Sequence, residues 1–257
     1  MIDSLQPHVC KNCGNDFTKN FCNNCGQKET HRITIPHVLH DLVHVFLHAD
    51  KGIFPFMSRV MVQPGIIAKE YVEGKRKIFN PFQYLILIVG LVLFLMTQLH
   101  FYDNLDSHNN ELVSRFSPVF KKAMNDFNQF VRKNGNIISF LSLPVYAFYS
   151  WLIVKKQQLN YAEQLTVIVF AMAFVYTYNA LLLLALIVFN ITGLGAASIP
   201  LALILVSLCL TYKQYFSYKW STAILKGLLV FACGCVTQVI ILMFGLIIYF
   251  LIIRSRG

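Results

Sequence analysis

Charge is scarce in this sequence. Asp, Glu, Lys and Arg together make up 13% of its 257 residues, about half of the ~25% usual in a soluble domain. That shortage excludes a disordered chain and a highly charged coiled coil. Acidic residues are the scarcest, 12 against 22 Lys and Arg. No Asp or Glu lies inside a long apolar run, and Glu163 only borders one. Ion-coupled pumps and proton relays usually carry buried ionisable groups, so their absence argues against that class. No Ser-His-Asp order, phosphate loop or Rossmann fingerprint appears. The N-terminus lacks the apolar core of a signal peptide and opens on a polar, Cys-rich stretch, so it is expected to stay in the cytoplasm.

What the chain has in excess is apolar surface. Hydrophobic residues make up 56%, against roughly 45–50% in a soluble domain, which excludes an ordinary cytosolic enzyme and predicts a multi-pass membrane protein. Five runs carry the excess: Pro81–Phe101, Ile137–Val154, Leu165–Phe189, Ile199–Tyr212 and Ala223–Ile253. Asn80 is placed to cap the first run, with Pro81 at the first helical position, and Pro144 predicts a kink in the second. The last run would be ~46 Å long as a helix, more than the ~30 Å hydrocarbon core. It reads as one long tilted helix or as a re-entrant pair turning near Thr237–Gln238. Five crossings are the preferred count, because splitting the run leaves two helices barely long enough to span.

Basic residues set the orientation. Lys75, Arg76 and Lys77 precede the first span and put the N-terminus inside; Lys155, Lys156, Lys213 and Lys219 then fall inside as well. Arg254 and Arg256 would end outside, against the rule. Residues 1–80 hold seven Lys, three Arg and seven acidic residues, only +3 of the net +10. The remainder lies largely in short loops and ends around the spans, so the charge reads as membrane topology rather than a nucleic-acid surface. Residues 110–133 repeat apolar side chains (Leu112, Phe116, Phe120, Met124, Phe127) at helical spacing, opposite Lys121, Lys122 and Lys133. They predict an extracytoplasmic amphipathic helix, lying on the membrane or on the tops of the spans.

Chemistry concentrates before residue 80. Cys10-Lys-Asn-Cys13-Gly14 and Cys22-Asn-Asn-Cys25-Gly26 form two CxxCG knuckles, and four thiolates make a closed tetrahedral zinc site that is structural rather than catalytic. Residues 1–30 are too few for an adequate core, so the metal would supply the folding energy. Disulfides or a redox CxxC fit the reducing cytoplasm poorly. Downstream, His37, His40, His44 and His48 fall on one helical stripe with Asp41 beside them. They read as a second metal or phosphate site, or as a polar seam against other helices. Next comes Gln63-Pro64-Gly65…Glu70-Tyr71…Gly74-Lys75-Arg76-Lys77. It predicts a turn into a short helix ended by Gly74, then a basic cluster that meets the membrane surface beside Phe79, Phe82 and Tyr84. In the third span Tyr176, Thr177, Tyr178 and Asn179 form a polar belt, which either bonds to neighbouring helices or lines a groove. Lys226 is placed to snorkel.

These motifs carry a resemblance. The CxxCG pair, His40-Asp41 with His44, His48 and Asp50-Lys51-Gly52, then Pro64-Gly65, Glu70-Tyr71, Gly74-Lys75-Arg76 and Pro81 resemble a Bacteroidota-type family of uncharacterised zinc-ribbon multi-pass membrane proteins. The resemblance covers the first third of the chain and implies no activity. In layout alone, the chain also resembles Yip-type five-span membrane proteins, which have a cytoplasmic N-terminus and roles in trafficking.

The expected fold is therefore an all-α integral membrane protein. A zinc ribbon (1–30) and cytoplasmic His-rich amphipathic helices (31–80) precede a bundle of about five transmembrane helices (81–257). The expected function is a non-enzymatic bacterial inner-membrane protein that docks a cytoplasmic protein partner through its ribbon and His-rich helices. The alternatives are a metal-dependent enzyme acting on a lipid or isoprenoid headgroup, and a lipid or small-molecule transporter using a groove at Tyr176 and Asn179.

Overall fold

The computed structural model describes residues 8–18, 20–36, 52–98, 122, 124–127, 129–130, 135–154, 159–189 and 199–255. The His stripe (His37, His40, Asp41, His44, His48) and most of the 110–133 segment lie outside the described residues. Among the described residues, β1 (His8–Val9) and β2 (Asp16–Phe17) form a short antiparallel hairpin, and everything else regular is helical. The helices are α1 (Ile53–Val62), α2 (Pro64–Val72), α3 (Pro81–Gln98), α4 (Gly135–Ile153), α5 (Tyr161–Val188), α6 (Ile199–Phe216) and α7 (Trp220–Ser255).

The apolar runs become helices where their ends are marked. The Asn80 side chain accepts from the Phe82 amide at 2.9 Å and starts α3 at Pro81. Asn160 and Glu163 form a reciprocal capping box that starts α5 four residues before the apolar run itself begins. Pro64 opens α2, and Gly74, at φ 106°, closes it. Pro144 lies inside α4. The last run is one continuous helix of 36 residues, ~54 Å long, with no turn at Thr237–Gln238.

Among the described residues, three helices contain stretches long and apolar enough to cross a membrane: Pro81–Gln98, Tyr161–Val188 and Trp220–Leu251. Two further apolar stretches, Phe140–Ile153 and Leu201–Phe216, are shorter. Helix α5 is central, packing against α1, α2, α3, α4 and α6. From Ala162 to Val175 it is buried almost without break. Helix α7 packs on α4 and α6 through its first half, where small residues allow close approach. Gly227 faces Cys209, and Gly234 faces the Tyr146 ring so closely that a methyl group would collide with it.

Helices α1 and α2 belong to the same apolar core as α3–α6. Phe56 of α1 packs against Phe79, Tyr84 and Phe170, and Tyr71 of α2 meets Phe170 edge-on. Phe79, Phe82 and Tyr84 are therefore buried rather than arrayed at a membrane surface. The close neighbour that turns Phe79 and Tyr84 inward is α1, which lies within the 31–80 helical region but has no bounds of its own in the sequence reading. In the 110–133 segment, Asp126 accepts a 3.3 Å hydrogen bond from Tyr249 of α7.

Candidate metal centre and its contacts with the helices

The two knuckles are built alike, twelve residues apart along the chain. In the first, the Gly14 amide donates to the Cys10 carbonyl at 2.9 Å, and the Cys10 amide donates to the Asn15 carbonyl at 2.9 Å. In the second, Gly26 donates to Cys22 at 2.8 Å, and Cys22 to Gln27 at 2.8 Å. Each knuckle needs a left-handed residue after its second cysteine, which Gly14 (φ 75°) and Gly26 (φ 71°) supply at little cost. The flanking pairs repeat too: Val9 opposes Asp16, and Phe21 opposes Lys28.

The four thiols, Cys10, Cys13, Cys22 and Cys25, converge with every Sγ within 4.8 Å of the others. The pairs between knuckles, Cys10–Cys25 and Cys13–Cys22, are each 3.6 Å apart. A tetrahedral ion with ~2.3 Å metal–sulfur bonds needs sulfur edges of about 3.8 Å, so the set fits one metal ion. Backbone amides already favour the charged form of two ligands. The Gln27 amide, above all, brings the Cys25 thiol down to about 6, and the Cys25 and Asn24 amides lower that of Cys22. At Cys13 the Asn15 amide acts the same way, but burial and the other thiols outweigh it and hold the group up at about 11. Thiolates are the form a metal requires. Four protein ligands fill a tetrahedral ion, so the arrangement suits a structural site and leaves no place for a substrate.

The ribbon's own core is Phe17 with Cys10 and Cys22, and Cys25 packed against them. It is held to the helices by polar contacts that its cysteine spacing does not reveal. The buried Gln27 side chain donates to the Gly74 carbonyl at 2.9 Å and accepts from the Arg76 amide at 3.0 Å. Thr30 also donates to Gly74, at 3.3 Å. Arg32 meets Glu163 in a two-point pair at 2.6 and 2.9 Å, and Asn160 donates to the Ile33 carbonyl at 2.9 Å. Glu163 thus borders the apolar run in sequence yet lies buried inside the first turn of α5.

The basic cluster is partly consumed within the protein. Lys75 lies 3.2 Å from Glu70, which also accepts from Arg59 at 2.6 Å. Burial opposes ionisation of Glu70, but these two cations prevail and its carboxyl sits below the ordinary value. The Arg76 guanidinium lies 4.1 Å above the Tyr71 ring. Lys77 is exposed.

At the other end of α2 a second glutamine acts as Gln27 does. Gln214 of α6 accepts from the Gly65 amide at 2.9 Å and donates to the Val62 carbonyl at 3.0 Å. In the α5 belt, Thr177 bonds to Tyr84 at 2.7 Å and Tyr178 donates to the Met61 carbonyl at 3.2 Å. Tyr176 packs against the core and Asn179 is buried. Lys226 donates to the Ile153 carbonyl at the end of α4, at 2.6 Å. Sequence reading missed Gln27, Thr30, Arg32 and Gln214, because their partners lie far off in the chain and polar type alone does not point to them. No protein-family model, curated protein or solved structure matches the chain.

Proposed function

We propose that this is a non-enzymatic bacterial inner-membrane protein whose N-terminal zinc ribbon docks a protein partner on the cytoplasmic side. In this reading α3–α7 cross the membrane five times, with α7 tilted, and adapt the docked partner to a membrane assembly. The convergence of four thiols into one closed ligand set carries it. All-thiolate tetrahedral sites suit zinc, and such a site supports a surface rather than a reaction. Val9 and Phe21, equivalent in the two knuckles, are 60% and 58% exposed and offer that surface apolar contacts.

Membrane residence is supported by the outer faces of the helices. Leu87 and Phe94 of α3, Leu141 and Phe148 of α4, Leu181 and Ile187 of α5, Val206 of α6 and Ile240 and Phe244 of α7 all point outward. Apolar cover this extensive is unfavourable in water and suits lipid. Lys75–Lys77 in short sequence before α3 support a cytoplasmic N-terminus.

Affinity purification from membranes, comparing wild type with the Cys10→Ser, Cys13→Ser variant, tests the docking. Loss of specific partners from a variant that still inserts is the expected result; an unchanged partner set counts against it. Elemental analysis should give one zinc per chain, lost in that variant. A second metal lost with His40→Ala or His44→Ala would favour the enzyme reading instead.

A further inference from the structure

Helix α2 is gripped at both ends by a glutamine side chain that pairs with main chain as a neighbouring strand would. At its start the grip comes from Gln214, on the bundle helix α6, and at its end from Gln27, on the ribbon. The two grips differ in what holds the gripping residue. Gln214 is part of an 18-residue helix packed into the main core. Gln27 is the second residue after Cys25, and its carbonyl accepts the Cys22 amide, so its position is set by the second knuckle. Among the described residues the ribbon's core is one phenylalanine and its own thiols, too little apolar burial to hold that knuckle alone. The first knuckle reaches the same turn. A methyl group on Gly74 would lie 2.9 Å from Thr30 and 3.1 Å from the Lys11 side chain.

We propose that the ribbon is a metal-dependent latch: with a divalent, thiophilic ion on the four cysteines, Gln27 clamps the Gly74–Arg76 turn between α2 and α3, and without the ion the clamp opens. The loop then frees the end of α2 that leads into α3, while Gln214 keeps its start in place. The metal state of the ribbon is thereby passed to the helices. This rests on the reading of the four thiols as a metal site, and needs no docked partner. By reciprocity, anything that opens the clamp must weaken metal binding by the same factor.

Hydrogen exchange on the full chain in lipid nanodiscs reads both clamps directly, because each protects one amide: Arg76 for Gln27 and Gly65 for Gln214. Stripping the ion with a chelator should speed exchange at Arg76 at least about 10-fold and leave Gly65 unchanged. Competition of Zn²⁺ against a chromogenic chelator should show binding weakened at least about 5-fold in Gln27→Leu and unaltered in Gln214→Leu. The latch is overturned if Arg76 stays protected after the metal is removed, or if Gly65 is released with it, which would mean general unfolding. It is equally overturned if Gln27→Leu binds Zn²⁺ within about twofold of wild type, below the range expected of a coupled site. Failure of the wild-type chain to take up metal would overturn the latch and the zinc-ribbon reading together. Uptake with a still-protected Arg76 would remove the latch alone.

Discussion

Helices α5 and α7 read almost alike as sequences and are placed in opposite ways. Both are long, both are apolar on every side, and both contain a stretch that can cross a membrane. Yet within an 18-residue apolar window of each, 72% of α5 is buried in the protein, against 6% of α7. A helix apolar all round must be covered by something, and the two helices differ in what covers them. Around α5 the chain supplies its own cover: α1, α2, α3, α4 and α6, with Arg32 and Ile33 bonded to its first turn and N-cap. Along the second half of α7 it leaves Val236, Val239, Ile240, Phe244, Ile247 and Leu251 facing out. Composition reports that a helix avoids water; it does not report whether protein or lipid takes its place.

That contrast predicts a graded response to substitution, read as thermal unfolding in detergent or nanodiscs. The largest loss is expected from Phe170→Ala on α5, where the fully buried ring meets Phe56 and Tyr71. Removing it should cost about 3–5 kcal/mol, and a loss under about 1 kcal/mol would place α5 nearer the periphery than its burial implies. Gly65→Ala comes next. Its new methyl would lie 2.5 Å from the Thr211 carbonyl and 2.8 Å from the Tyr215 amide, both backbone atoms that cannot swing away. About 1–3 kcal/mol is expected, with the α1–α2 joint lifted off α6.

Arg32→Ala should cost less. It strands the buried Glu163 carboxylate, but Arg32 itself is largely exposed and the pair is discounted for solvent screening. Exchange at the first turn of α5 should rise in this variant, and Glu163→Gln with Arg32→Ala should recover part of the loss. The smallest effect is expected from Phe244→Ala on α7, whose side chain is 64% exposed. Its unfolding should move by no more than about 0.5 kcal/mol. A core-sized loss there would mean that a protein surface covers α7, and would erase the contrast with α5.

The acid limb of stability offers a milder check on α2. Burial opposes the charge of Glu70, but Arg59 and Lys75 outweigh it, so the group ionises more readily than an ordinary carboxyl. Its contribution is complete above its unfolded pKa and is lost as pH falls through the lower folded one. Glu70→Gln should flatten that limb relative to wild type while changing stability at neutral pH by under about 1 kcal/mol.

Local features were legible because their causes are local. The CxxCG spacing brings two thiols together within a single turn, and the glycine after each pair meets the need for positive φ, so the four-cysteine cluster follows from the sequence alone. Asn80-Pro81 and Pro64…Gly74 marked helix ends for the same reason. The contacts that join ribbon to bundle were illegible because they link distant positions: Gln27 to Gly74, Arg32 to Glu163 and Gly65 to Gln214 lie 47, 131 and 149 residues apart. A glutamine carries no periodic signal, and its partners here are main-chain atoms that every residue possesses. Helix α1 was expected only as part of an amphipathic 31–80 region, since ten residues holding Pro55, Ser58 and Arg59 give a short apolar face with no marked ends.

The scarcity of charge and the surplus of apolar residues thus determined a great deal by themselves: helices, their approximate ends, and a small polar ribbon that four thiols must organise. Tertiary structure decided which apolar helix is core and which is surface, that Phe79, Phe82 and Tyr84 face inward, and that the ribbon grips α2 through Gln27. The division has a physical basis. Hydrogen-bonded turns and ligand spacing are set within a few residues, whereas burial depends on which parts of the chain arrive at the same place.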